Sequence, residues 1–271
     1  MLFDPKFILL QQEAYLAHGS LSAGLTALRN AAFPNKANFY LGFFNTSIAF
    51  ERIMKLIIIT DHMLQNSFQP PSKIVLKRYG HDLVSLYGSC VSVATRIGIS
   101  KVSIPASDSI ENQILGFLSN FADGSRYHNL DSISSIANNG NDPLALWDMI
   151  LKNILNHDVP KQKFNIELQK AIQLSSLMAG KIHAIQHGMD GKLLSESQVF
   201  EFPAIHKLAV PYSMVRLFNL IIPLLKTLNE LGQQGHYASV STSKPLVPLF
   251  GEFFVHFNGT PSQIRQKKRW P

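Results

Sequence analysis

The chain has little cysteine and few charged residues, and both shortages restrict its class. Cys90 is the only cysteine among the 271 residues. An internal disulfide is therefore excluded, which suits a reducing compartment. Charged residues make up 16% of the sequence and apolar residues 46%, a composition typical of a folded protein rather than of a disordered chain. A chain of this length can bury one large core or two small ones.

The sequence also lacks a recognisable signal peptide and a clean membrane span. Asp4 interrupts the N-terminal segment MLFDPKFILL, where a signal peptide carries only positive charge. The apolar segment MKLIIIT is too short to cross a bilayer, and VPYSMVRLFNLIIPLLKTL contains Arg216 and Pro223. These features predict a soluble, cytoplasmic protein with no membrane partner.

Several motifs that bind cofactors or metals are missing as well. The sequence has no phosphate-binding loop, no dinucleotide fingerprint and no nucleophile-elbow pattern. His183 and His187 have the four-residue spacing of a zinc-binding pair, but no glutamate lies between them and no third ligand is evident. Two surface histidines on an amphipathic helix are the favoured interpretation, so we predict neither a metal nor a cofactor.

What the sequence does contain is helical periodicity from end to end. Asp82 and Asp142 stand at helix N-cap positions, Pro143 follows in a first turn, and Asp108 with Glu111 forms a pattern like a capping box. The pattern predicts an all-α fold. The predicted helices cover about residues 19–32, 35–65, 81–98, 107–124, 142–157, 163–188, 211–231 and 246–257.

Four segments depart from this periodicity. Residues 66–73 predict a turn, and residues 190–211 predict an irregular segment in which VFEF is a candidate short strand. The Gly/Ser-rich residues 232–244 predict a mobile loop. The β-branched run at residues 57–60 is the one place inside a predicted helix where a strand competes.

Three short motifs follow one another in the first half of the chain. IAFERIMKLIII places Glu51, Arg52 and Lys55 in one helix, a proline-bearing linker leads to GHDLVSLY with His81, and FADGSRYHNLD follows the next helix. Their order and spacing resemble the HEPN family, the nucleotide-binding helical domain shared by higher eukaryotes and prokaryotes. The resemblance covers about residues 15–135.

The resemblance implies a division of the chain and a class of activity. It implies a HEPN-like helical bundle over residues 1–140, with residues 141–271 as a C-terminal helical extension packed on it or within the same domain. Catalytic members of the family are metal-independent ribonucleases with an R-x(4–6)-H motif. That spacing does not occur here, and His128 replaces the proline that the family has after its Arg-Tyr pair.

A site assembled from the three motifs remains open, because the family fold brings them near one another. An arginine can clamp a phosphate, a histidine titrates near neutral pH, and a tyrosine can stack on a base. The predicted catalytic side chains are Arg126, His128 and His81, and the predicted substrate-binding ones are Arg52, Lys55, Arg78 and Tyr127. The alternative is structural: His81 marks a helix entrance, and Arg126 pairs with Glu51 or Asp131.

The C-terminal segment QIRQKKRWP is the one dense basic stretch of a chain whose formal net charge is +7. Arg265, Lys267, Lys268 and Arg269 lie beside Trp270, so they are further candidates for contact with a nucleic-acid backbone. The alternative is a solvated chain end whose Trp270 packs onto the helices.

From the resemblance we expect an RNA-binding or RNA-cleaving protein of a prokaryotic toxin or anti-phage defence system, metal-independent if catalytic. The alternative is a non-catalytic HEPN-type module that binds a nucleotide or a protein partner such as an antitoxin. We also expect a homodimer, because Phe39, Tyr40, Phe43 and Phe44 are more aromatic residues than one bundle buries with ease. These rings could instead pack against the C-terminal helices.

Overall fold

The computed structural model describes residues 3–100, 102–134, 142–179, 181, 185–240 and 244–271. Across these ranges the chain forms ten α-helices and two short 3-10 helices, and no β-strand. The prediction of an all-α fold is therefore confirmed.

The α-helices, in chain order, are α1 (Pro5–Arg29), α2 (Ala37–Gln65), α3 (Lys73–Arg78), α4 (Leu83–Arg96), α5 (Ile110–Asp123), α6 (His128–Ser134), α7 (Pro143–Asp158), α8 (Lys161–Met178), α9 (Glu196–Val240) and α10 (Pro261–Gln266). The 3-10 helices are Ser125–Tyr127 and Phe250–Glu252.

Side-chain caps determine where several of these helices begin. The Asp82 carboxylate accepts hydrogen bonds from the backbone N–H groups at the start of α4, and Asp142 does the same for α7. Both predicted caps are confirmed. The predicted cap of α5 is wrong by one residue, because the hydroxyl of Ser109 rather than Asp108 accepts the N–H of Asn112.

Helix α2 is the central element, and α1, α4, α5 and α9 all pack against it. The sequence predicted a helix that is apolar nearly all round, but one face of α2, which includes Phe44, Glu51, Lys55 and Ile59, is exposed or half-buried, and most of the rest of the helix is buried. The run at residues 57–60 is helical, so the competing strand is absent there. One continuous apolar core extends from Leu10 in α1 to Trp270 near the C-terminus.

Helix α9 corrects three predictions at once. It runs through residues 196–240, so it includes residues 196–211 of the segment predicted to be irregular, its candidate strand VFEF, and the first part of the predicted mobile loop. Residues 190–195 are non-helical, as predicted. Residues 241–243 of the predicted loop lie outside the described residues. Pro203, Pro211 and Pro223 all lie inside this helix, because burial of one face of α9 outweighs the hydrogen bonds that the prolines remove.

Other helix boundaries also differ from the predictions. Helix α1 begins at Pro5 rather than near residue 19, and the predicted turn at 66–73 leads directly into α3. The predicted helix at 246–257 is a 3-10 turn followed by bends. Helix α8 ends at Met178, and His187 lies in an isolated β-bridge, so His187 is not on a helix. His183 lies outside the described residues.

The aromatic residues considered for a dimer contact are mostly internal. Phe39 and Phe43 are 1% and 0% exposed, and the ring of Phe43 lies 5.2 Å from that of Trp147 in α7. Phe43 thus packs against a C-terminal helix, which is the alternative that the sequence left open. Phe44 is exposed, and the homodimer itself stays a prediction.

One described helix, α9, is long and apolar enough to cross a membrane by length and composition. Of its most apolar window, 61% is buried inside the protein. A core helix of a soluble protein meets the same two criteria, so the cytoplasmic location stays a prediction.

Candidate functional site

A pocket of about 370 Å³ lies between α1, α2, the start of α4 and the end of α5. Four of the predicted site residues line it, and they come from all three motifs that resemble the HEPN family. These four are Arg52, Lys55, His81 and Arg126. Charged groups therefore converge here from segments that are far apart in the sequence.

Glu51 is the central group of the pocket. It lies one helical turn before Lys55 on α2, and its Oε1 is 2.6 Å from the Lys55 Nζ. Its Oε2 is 3.0 Å from the Nδ1 of His81. Gly80 has a φ of +54°, a conformation that favours glycine, and this turn places His81 beside Glu51. The Gly80 carbonyl also accepts a hydrogen bond from Lys55.

These contacts determine the protonation of the Glu51–His81 pair. Burial alone raises the pKa of Glu51, but hydrogen bonds from His81 and Lys55 and their charges outweigh it, so the pKa lies below its usual value. Glu51 is therefore ionised at neutral pH and can only accept hydrogen bonds. The hydrogen atom of the hydrogen bond between His81 and Glu51 must then lie on Nδ1 of His81. When the ring is neutral, its free lone pair is on Nε2.

A second carboxylate reaches the pocket from α1. Glu13 forms an ion pair with Arg52, so one pocket cation is neutralised from a neighbouring helix. Glu13 is absent from the predicted site because the predicted first helix begins near residue 19, after Glu13. The signal was present in Asp4 and Pro5, an N-cap followed by proline in the first turn.

Arg126 is the cation of the pocket that lacks a carboxylate partner. The ion pairs of the described residues include none with Arg126. Its Nε is buried without a hydrogen-bond partner, and its guanidinium lies 5.0 Å from the centre of the Tyr127 ring. The expected pairing of Arg126 with Glu51 or Asp131 is therefore not observed. The Glu51 carboxylate is instead bonded to Lys55 and His81.

Of the seven site residues predicted outside the C-terminal segment, three do not line this pocket. Arg78 is exposed in the last turn of α3, Tyr127 is 51% exposed, and His128 begins α6. Arg126 and His128 are two residues apart in helical backbone, so their side chains point to different sides of the helix. The structure thus brings Arg126 together with His81 rather than with His128.

The basic C-terminal residues lie elsewhere, and their segment is packed against the helices. Trp270 is 5% exposed, and its backbone N–H donates to the Thr26 hydroxyl over 3.0 Å. Lys267 donates to the carbonyl of His256, and Asn30, the C-cap of α1, donates to the carbonyl of Lys268. Arg269 is exposed. Trp270 therefore packs onto the helices, and contact of the neighbouring cations with a nucleic acid stays a prediction.

Other kinds of chemistry find less support in the described part of the chain. No group of three or more His, Cys, Asp or Glu residues there is arranged to hold a metal ion. Cys90 is buried, and burial raises the pKa of its thiol, so little of the reactive thiolate forms at neutral pH.

No protein-family model, curated protein or solved structure matches this chain. The resemblance to the HEPN family therefore depends on the three sequence motifs alone. The geometry of the pocket carries the functional argument.

Proposed function

We propose that the chain is a HEPN-like helical protein that binds RNA by holding a phosphate group in the pocket around Arg126. The proposal depends on an excess of positive charge in the pocket. Arg52, Lys55 and Arg126 give three positive charges. Glu13 and Glu51 give two negative charges. One positive charge is left over before His81 is counted. A phosphate would neutralise it through charge-assisted hydrogen bonds.

The remaining walls of the pocket suit the rest of a nucleotide. Phe44, Ile48, Ile59 and Phe121 provide an apolar side next to the cations, and Phe44 is 44% exposed. A volume of about 370 Å³ falls in the size range of small-molecule sites. An aromatic surface beside a phosphate site favours a ligand with a base attached to its phosphate.

RNA cleavage is the second candidate, and the Glu51–His81 pair is the observation that favours it. Glu51 accepts the hydrogen bond from Nδ1 of His81, so Nε2 of the neutral ring can accept the proton of a ribose 2′-hydroxyl as that oxygen attacks the adjacent phosphate. The bond from the phosphorus to the 5′-oxygen of the next nucleotide breaks, which leaves a 2′,3′-cyclic phosphate, and the departing 5′-oxygen takes a proton from the imidazolium or from water. Arg126 would stabilise the charge that develops on the phosphate oxygens. This route needs no metal, and the resemblance supports a toxin or anti-phage setting. A non-catalytic module that binds a nucleotide or an antitoxin-like protein remains the alternative.

Binding of a short fluorescent RNA, followed by anisotropy, tests the proposal. Loss of one charged hydrogen-bond donor costs roughly 1.5–3 kcal/mol, so we expect Arg126→Gln to weaken binding at least tenfold. Arg78→Gln is the matched control, because it removes the same charge from an exposed site outside the pocket. Equal affinities for the two variants would exclude the pocket as the binding site.

Glu13→Gln gives a test of opposite sign. Glu13 neutralises Arg52, so its removal should free that cation and tighten RNA binding. Simple damage to the fold would weaken binding instead. Tighter binding by Glu13→Gln together with weaker binding by Arg126→Gln would establish an electrostatic site.

The cleavage candidate is tested with a labelled RNA in the presence of a metal chelator. We expect His81→Gln to abolish cleavage while RNA binding is retained, and His128→Gln to cleave like the wild type, because His128 lies outside the pocket. Retained binding with no cleavage by the wild type would leave the non-catalytic module as the function.

A further inference from the structure

We infer that the chain has a second phosphate-binding surface, formed where the C-terminal segment meets α8 and α9. We call it the C-terminal basic surface and define it by Lys163, Tyr212 and Arg265. The Lys163 Nζ lies 5.9 Å and the Arg265 Cζ 5.2 Å from the centre of the Tyr212 ring. Two cations from distant segments therefore meet on one aromatic side chain.

No carboxylate neutralises either cation within the part of the chain that the structure describes. The ion pairs there include neither Lys163 nor Arg265. The nearby acid is Glu167, which is bonded to Lys170 at 2.7 Å. Hydrogen bonding to Lys170, then the charges of Lys170, Lys163 and Lys207, lower the pKa of Glu167. Positive charge therefore exceeds negative charge at this surface, which favours an anionic ligand.

Arg265 is held in place before any ligand arrives. It belongs to α10, which begins with a capping box between Thr260 and Gln263 and buries Ile264. The Arg265 carbonyl accepts a hydrogen bond of 3.2 Å from the Arg29 guanidinium. A cation on a fixed backbone loses less conformational freedom on binding than one on a mobile chain end. The surface is thus preorganised.

The position of this surface indicates which form of RNA would use it. Glu13 of the pocket and Arg29, which contacts Arg265, lie on α1 sixteen residues apart. At 1.5 Å per residue this separation is about 24 Å along the helix. A mononucleotide reaches one site only, whereas an extended strand contacts both and gains affinity from the second contact. The ligand we infer is a single-stranded RNA, and this identity rests on the proposed function of the pocket.

The test uses the double variant Lys163→Gln/Arg265→Gln, which keeps much of both side-chain stems while removing both charges. Lys73→Gln/Lys226→Gln is the control, because it removes two charges from exposed positions on α3 and α9, and neither lysine forms an ion pair with Glu167. Affinities for an unstructured 20-nucleotide RNA and for a trinucleotide are measured by anisotropy at several salt concentrations. Thermal unfolding of each variant confirms that the fold is intact.

Affinity for the 20-nucleotide RNA falls as salt rises, and we expect this dependence to be weaker in the double variant. The magnitude of the slope of log affinity against log salt should decrease by about 1.4, because each of the two lost phosphate contacts contributes roughly 0.7. Trinucleotide binding should be unchanged. Equal slopes for the double variant and its control would overturn the second surface and leave the pocket intact. Two separate sites would be supported by two results together. Arg126→Gln would lose trinucleotide binding, and the salt dependence of 20-nucleotide RNA binding would still change when Lys163 and Arg265 are replaced. Absence of RNA binding by the wild type would overturn both proposals.

Discussion

Two glycines allow α1 and α2 to approach each other closely. A Cβ on Gly24 would lie 2.5 Å from the Thr46 Oγ1 and 2.7 Å from its backbone nitrogen. A Cβ on Gly42 would lie 2.5 Å from the Leu28 Cγ. Any larger residue at either position must push the helices apart, because neither set of contacts leaves room for another carbon.

We therefore expect Gly24→Ala to destabilise the protein, by about 1–3 kcal/mol, the usual cost of overpacking a core. Gly19→Ala is the matched control on the same helix, because nothing lies within 4 Å of its added Cβ. That control should be neutral or stabilising by up to about 1 kcal/mol, since alanine favours the helix. Urea denaturation measures both changes. Equal stabilities for the two variants would show that α1 and α2 adjust without cost.

At the residue scale, the sequence predicted which residues line the pocket better than it predicted the hydrogen bonds and ion pairs between them. The three motifs contributed Arg52, Lys55, His81 and Arg126 to one pocket as expected. The sequence could not show that Glu51 would accept bonds from both Lys55 and His81, because that depends on the turn at Gly80. Contacts between distant segments follow from backbone geometry, which side-chain type alone does not encode.

At the scale of elements, α9 shows why local signals failed. Gly232 and Gly235 suggested a loop, but they lie where Phe250 and Val247 approach the helix, and an added Cβ would be 2.9 Å from atoms of those side chains. The glycines therefore mark close packing against the following segment rather than chain mobility. The helix propensity of residues 232–240 depends on those residues alone. It contains no information about packing against a segment that follows later in the chain.

A buried contact between an imidazole and a carboxylate joins α9 to α7. The His206 Nε2 lies 2.7 Å from the Asp148 Oδ1, and the two side chains are 5% and 3% exposed. Lys152 contacts the other carboxylate oxygen at 2.7 Å. Burial raises the pKa of Asp148, but hydrogen bonds from His206 and Lys152 and their charges outweigh it and lower the pKa from its ordinary value of 3.8. The carboxylate therefore contributes stability above about pH 3.8, and this contribution is lost as the pH falls further.

We expect Asp148→Ala to destabilise the protein at pH 7 by about 3 kcal/mol, because it leaves His206 buried without its partner. Lys152→Ala removes only the exposed partner of the same carboxylate and should cost less than about 1 kcal/mol. Urea denaturation at pH 7 and at pH 3 measures both variants. The difference between wild type and Asp148→Ala should shrink at pH 3. A constant difference would mean that the charge of Asp148 contributes nothing.

At the scale of the whole molecule, ion pairs and core contacts join the two predicted halves. Arg216 of α9 makes a two-bond contact with Asp158 of α7, at 2.8 and 2.6 Å, and also contacts Glu111 of α5 at 2.9 Å. Phe43 and Phe117 contact Trp147 across the predicted boundary at residue 140. The division into 1–140 and 141–271 remains a prediction, and these contacts favour the alternative of a single domain.

The two tryptophans allow a direct test of this cooperativity. Trp147 lies in the core beside α2 and α5, whereas Trp270 contacts Phe218 of α9 and the Thr26 hydroxyl of α1. Each of the variants Trp147→Phe and Trp270→Phe retains one tryptophan as a fluorescent reporter. Because one core contains both residues, we expect the fluorescence midpoint in urea to coincide with the far-ultraviolet circular dichroism midpoint in each variant, as two-state unfolding requires. If fluorescence and circular dichroism gave separate midpoints, the halves would unfold independently and the boundary near residue 140 would separate two domains.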